Sequence, residues 1–192
     1  MFLARTCRLI QSFCKLFMFA SLFALPVSLL GQSWAAATGV VDPAGAARVH
    51  VSSAGNVYVD ASAPVPTTGI LRYNLFQAGI DPRPLQQGEC WQMVARYSDN
   101  GAGAEVVLQL KRYNLHTGAL TTLLTFDSNA FAASSGFQYQ ASPCIPFDFE
   151  FANNAAFPPG PASVYFVEAK LIRTSGTGVP KLAGFGLLRI IP

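Results

Sequence analysis

Asp148 and Glu150 stand two residues apart within residues 147–151, and on an extended strand that spacing turns both carboxylates to one face. Convergent carboxylates serve glycoside hydrolysis or calcium ligation, whereas a solvated strand surface uses the same pair with no chemistry at all. The two histidines, His50 and His116, fall in a strand and a turn, and no Gly-x-Ser-x-Gly elbow accompanies the serines. Both therefore read as surface or hydrogen-bonded groups. Asp99-Asn100-Gly101 and Asp127-Ser128-Asn129 offer oxygen ligands without the calcium-loop pattern, so they read as turns. Gly101-Ala102-Gly103 and Gly176-Thr177-Gly178 lack the spacing and the lysine of a phosphate loop. No metal or cofactor is implied. Aromatic residues make up 12% of the chain. Tyr97, Tyr113 and Tyr139, like Tyr73, Tyr165 and Trp91, lie in strand contexts, where an exposed ring can stack on a sugar or anchor a protein and a buried one fills the core. The candidate binding residues are Tyr97, Tyr113, Tyr139, Asp148 and Glu150.

Short strands separated by turns must position these groups. Residues 48–51 and 56–60 flank Ser52-Ser53-Ala54-Gly55, a connection suited to a hairpin. Residues 70–76 form the next strand, and 79–88, with Pro82 and Pro84, are too broken for regular structure. Extended structure resumes over 90–97, placing Trp91, Met93 and Ala95 on one face before the turn at 98–101. Across 105–114, Val106, Leu108 and Leu110 alternate with Glu105, Val107, Gln109 and Lys111, so one face is dry and the other wet. The turn at 115–118 leads back along 120–126, and a brief helical turn fits 129–134. Residues 137–144 and 147–151 supply further strands, with Pro143 and Pro146 marking a bend or a sheet edge. Over 163–173, Tyr165, Val167, Ala169 and Leu171 share one face opposite Glu168 and Lys170, with Val164, Phe166 and Ile172 making the second face partly apolar, and 181–190 close the chain.

The N-terminus reads as an export signal. Arg5, Arg8 and Lys15 precede an uncharged apolar run over 16–30, and Ser33-Trp34-Ala35-Ala36-Ala37 supplies small residues for cleavage after Ala37 or Ala35. The run falls short of the roughly 18–20 residues that span a bilayer, and Pro26 interrupts it. Residues 1–37 are thus expected to leave and 38–192 to form one exported domain, periplasmic or extracellular, without a membrane span. Removing three of the 13 Lys and Arg leaves 10 against 10 Asp and Glu, so no basic surface for nucleic acid remains. Cys7 and Cys14 leave as well. Cys90 and Cys144 remain and should form a disulfide in an oxidising compartment.

Eight to ten strands at this spacing point to an all-β antiparallel β-sandwich, jelly-roll-like, with one disulfide. An outer-membrane barrel is disfavoured by the proline clusters, the distant cysteine pair and the C-terminal Ile190-Ile191-Pro192. The segments Leu110-Lys111-Arg112-Tyr113-Asn114, Thr117-Gly118, Phe126-Asp127-Ser128-Asn129 and the Cys144 strand resemble a group of small exported bacterial β-sandwich proteins without assigned activity. The resemblance spans residues 90–173 and implies a shared sandwich but no functional residue. The expected function is therefore a non-catalytic exported module that binds carbohydrate or protein at the cell surface. A structural subunit of a larger assembly, or a glycan hydrolase using Asp148 and Glu150, are the alternatives.

Overall fold

The computed structural model describes residues 28–44, 46–75, 80, 81, 83–99, 103–150 and 163–192. Eleven strands occur among them: β1 Ser28–Ala35, β2 Val40–Val41, β3 Val49–Val51, β4 Val57–Val59, β5 Thr67–Asn74, β6 Cys90–Asp99, β7 Ala104–Asn114, β8 Leu120–Asp127, β9 Gln138–Ala141, β10 Ser163–Arg173 and β11 Pro180–Ile190. One sheet runs β3-β4-β11-β6-β9, with β1 also on β11, and the other runs β2-β5-β10-β7-β8. All these pairings are antiparallel. From β5 onward the chain changes sheet at almost every connection, which gives the jelly-roll-like sandwich.

Period-two alternation builds the core. Val106, Leu108 and Leu110 of β7 and Val167, Ala169 and Leu171 of β10 are fully buried, as are Met93 and Ala95 of β6 and Leu182 and Leu187 of β11. Each large apolar side chain so placed contributes about 1.5–3 kcal/mol relative to exposure. Cys90 and Cys144 form the expected disulfide, with Cα atoms 5.5 Å apart and a sequence separation of 54. Closing a loop of that length stabilises by roughly 4 kcal/mol in the chain-entropy account. Beside it, Trp91 and Ile145 exchange two backbone hydrogen bonds of 2.9 Å, which fixes the segment after β9 against β6.

A buried arginine closes each end of the core. Arg173 donates to the carbonyls of Ala63 at 2.5 Å, Gly176 at 2.8 Å and Gly178 at 2.9 Å. At the opposite end, Arg189 donates to the carbonyls of Arg83 and Pro84 at 3.0 and 2.9 Å and pairs with Glu89. Burying a guanidinium is tolerable only when its donors are met in this way.

Two segments differ from expectation. Residues 147–150 form no strand; Phe147 and Phe149 keep the inward alternation by packing on Trp91, with no ladder partner beyond Pro143 and Pro146. The helical turn sits at Ser128–Ala130, where the Asp127 carboxylate accepts from the Asn129 amide at 2.9 Å. Residues 28–37, assigned to the leader by sequence, include all of β1. Phe76, Asn100, Gly101 and Phe151 lie outside the described residues. Among the described residues, no helix is long and apolar enough to cross a membrane.

Candidate functional site

The outer face of the five-stranded sheet gathers polar groups around one carboxylate. On β10 the odd-numbered residues face the core, so Val164, Phe166, Glu168 and Lys170 turn outward. Register then sets their neighbours. Glu168 lies between Gln109 of β7 and Arg72 of β5, and Thr125 of β8 continues that row. Phe166 lies between Lys111 and Asn74, while Val164 lies beside Tyr113, which in turn pairs with Leu120. A polar row thus grades into an apolar one along the strands.

Glu168 is only 6% exposed although it belongs to the outer face, because cationic side chains fold over it. Lys111 Nζ donates to Oε1 at 2.6 Å, Arg72 Nε donates to Oε2 at 3.3 Å, and Lys170 Nζ lies 3.6 Å away. Arg72 also donates to Asp42 Oδ2 at 2.8 Å. Burial alone would raise the Glu168 pKa, but the Lys111 hydrogen bond and the charges of Lys111, Lys170 and Arg72 together carry it below its ordinary value. Three cations and two carboxylates are thereby held in fixed positions. Such a set can donate to and accept from a polar ligand, and it presents no nucleophile paired with a base.

Tyr113 is 38% exposed at the margin of this face. Tyr139 is 64% exposed, but it lies on β9 of the other sheet, opposite Arg96, whose guanidinium sits 5.7 Å from the Phe137 ring centroid. Tyr97 corrects the expectation of an exposed ring: it is completely buried, edge-on to Phe126 at 5.2 Å. Its position on β6 has the parity of Trp91, Met93 and Ala95, a signal the alternation already carried. Its hydroxyl has no hydrogen-bond partner among the described residues, and burial, with Asp99 and Asp127 nearby, pushes its pKa up to about 12. The three tyrosines therefore share no platform.

Asp148 and Glu150 point away from the inward Phe147 and Phe149, as their spacing implies, but separate elements engage them. Asp148 Oδ1 accepts from the Leu85 amide at 2.7 Å and so fastens the segment before β6. Glu150 accepts from Arg112 Nη1 at 2.6 Å and from the Ser163 hydroxyl at 3.3 Å, and its amide donates to the Tyr165 hydroxyl at 2.7 Å. These are bracing contacts. His50 lies 3.6 Å from Asp60, and His116 sits in the β7–β8 turn, where its amide donates to Asn114 Oδ1 at 2.9 Å. Among the described residues no group of three or more His, Cys, Asp or Glu could hold a metal ion.

No family model matches the sequence, and no curated protein matches it. Solved structures are similar at 8–14% identity. A "xylan-binding module CBM15" has a TM-score of 0.43 over 86% of this chain and 97% of its own. A "Family 30 Carbohydrate Binding Module" has 0.37 over 86% and 84%, and a "Xylan-Binding Domain from CBM 22" has 0.37 over 85% and 88%. Similarity this distant assigns no ligand, and the site stands on its own geometry.

Proposed function

We propose that this chain is an exported, non-catalytic β-sandwich domain that binds carbohydrate on the outer face of its five-stranded sheet. One observation carries the proposal: Glu168, held by Lys111 and Arg72 at the centre of that face, stands one strand-row removed from the Phe166 ring and two from the exposed Tyr113. An aromatic face stacks on the apolar side of a sugar ring, and rigid donors and acceptors beside it meet the hydroxyls. A protein-docking surface has the opposite anatomy, with an apolar centre and a charged rim. That contrast counts against the assembly-subunit alternative. The hydrolase alternative loses its support because Asp148 and Glu150 brace different segments. Export is supported by the charged, apolar and small-residue order of the first 37 residues and by the disulfide.

Affinity electrophoresis against a panel of soluble plant and bacterial polysaccharides tests the assignment. At least one polysaccharide should retard the protein, and Tyr113→Ala should weaken that retardation about tenfold while Tyr139→Ala leaves it unchanged. Retardation by none of them, or equal loss in both variants, would refute it.

A further inference from the structure

One edge of β11 is covered by two short strands rather than by one long neighbour. Over Lys181 and Leu182 that edge is covered by β4, but from Gly184 to Ile190 it is covered by β1, from Ala35 opposite Gly184 to Ser28 opposite Ile190. The fit between the two strands is specific on both sides. A β-carbon at Gly184 would lie 2.8 Å from the Trp34 carbonyl oxygen, and one at Gly31 would run into the Leu187 carbonyl oxygen and come within 3.2 Å of Trp91. Each glycine lets the opposing backbone approach, as close strand pairing requires. Trp34 stacks on Phe185 with ring centroids 4.9 Å apart and donates from Nε1 to the Asn74 carbonyl at 3.2 Å, which gives the strand one aromatic anchor.

The covering strand is the segment that the sequence assigns to the end of a cleaved leader. The backbone around the cut is folded rather than extended: Ala36–Thr38 form a short 3-10 turn, Ala36 is fully buried although Ala35 and Ala37 beside it are exposed, the Ala36 carbonyl accepts from the buried Tyr73 hydroxyl at 2.8 Å, and the Ala35 carbonyl accepts from Thr38 Oγ1 at 2.8 Å. A protease needs an extended, accessible backbone, so cutting there has to precede folding. A chain cut first and folded afterwards would leave seven residues of β11 with an unpaired edge, which is a template for strand addition.

We propose that the β11 edge from Gly184 to Ile190 is a strand-acceptor site, that Ser28–Ala35 occupies it in the unprocessed chain, and that in the processed protein it takes up an extended segment of the same chemistry: main-chain pairing, a glycine at a bulge against the Leu187 carbonyl and an aromatic ring over Phe185. The site is separate from the sheet face proposed to bind carbohydrate. Gly184 supplies a clean probe. All three of the nearest atoms that its β-carbon would meet belong to β1, so Gly184→Val obstructs the incoming strand first.

The experiment uses the protein recovered from an exporting host, its N-terminus fixed by intact mass, and a fluorescently labelled synthetic peptide covering residues 28–38. The processed protein should bind the peptide saturably, and the refolded full-length chain, whose site is filled, should bind it at least tenfold more weakly. Gly184→Val in the processed protein and Gly31→Ala in the peptide should each cost tenfold or more, with the circular dichroism spectrum of the protein unchanged. Absence of binding to the processed protein, equal binding to both forms of the chain, or indifference to both substitutions overturns the proposal. An exported protein that still carries Ser28 overturns it too, since the strand would then be permanent.

Discussion

Glu89 and Glu168 are nearly equally withdrawn from water, at 4% and 6% exposure, yet they do different things. Glu89, just before β6, accepts from the Gln86 amide at 2.8 Å, from Arg83 Nη2 at 3.0 Å and from Arg189. Arg189 also lies 3.1 Å from Asp81 and 5.9 Å from the centroid of the Trp91 ring. Arg189 reaches Glu89 from the core, and Arg83 and the Gln86 amide come from its own segment, so the cluster ties residues 81–89 over one end of the core. Glu168 has partners that lie on an open sheet face, with Arg72 nearly half exposed. Burial of a carboxylate therefore does not distinguish a fastening from a binding element; the place of its partners in the fold does.

Substitution at Arg189 is the strongest way to break that contrast. Arg189→Met leaves Glu89 without its inner partner and strands the carbonyls of Arg83 and Pro84, and removing one member of a buried pair is among the costliest single changes. The melting temperature should fall by about 10 °C. Glu168→Gln keeps the shape and a weaker acceptor on the solvent side, so thermal denaturation should register at most about 3 °C while polysaccharide retardation drops. A larger thermal loss from Glu168→Gln than from Arg189→Met would erase the distinction.

Acid separates the two clusters next. The Gln86 amide and the Arg189 hydrogen bond, aided by Arg83, hold the Glu89 carboxyl at about 2, below its ordinary 4.5. Between those values the unfolded chain binds a proton that the folded chain refuses, so this contribution is complete above about pH 4.5 and fades as pH falls toward 2. Glu168, also lowered, acts in the same direction. Urea midpoints measured between pH 6 and pH 3 should fall less steeply in Glu89→Gln than in the wild type. Parallel slopes would mean that Glu89 is not the group responsible.

How much was legible follows from the same geometry. The hairpin at β7 and β8, the central β10 and the cysteine pair are local or compositional signals, and the parity that puts Trp91, Met93 and Ala95 on one face extends to Tyr97, although Tyr97 is named among the candidate binding residues. The Glu168 cluster was not readable because Lys111 and Arg72 reach it across strands 57 and 96 residues away, and only the register of the folded sheet joins them. Arg189 shares the parity of Leu187, which marks it as inward, but its partners come from a proline-broken segment about 100 residues earlier. Asp148 and Glu150 are both exposed, but no strand carries them. What spacing could not show was that Leu85 and Arg112 would each engage one of them.

Tyr97 lies at the far extreme from Glu89, since one is a buried polar group with several partners and the other a buried hydroxyl with none among the described residues. An unmet hydroxyl in the interior costs about 1–3 kcal/mol, part of which is returned when the oxygen is removed and the ring remains. Tyr97→Phe keeps the edge-on contact with Phe126 and should therefore raise stability by up to about 1 kcal/mol, or roughly 2–4 °C in the melting temperature. Tyr113→Phe, on the solvent side of the sheet, should leave it unchanged. Destabilisation by Tyr97→Phe would reveal that the phenol is hydrogen-bonded after all, and would move Tyr97 from the passive core into the company of the two carboxylates.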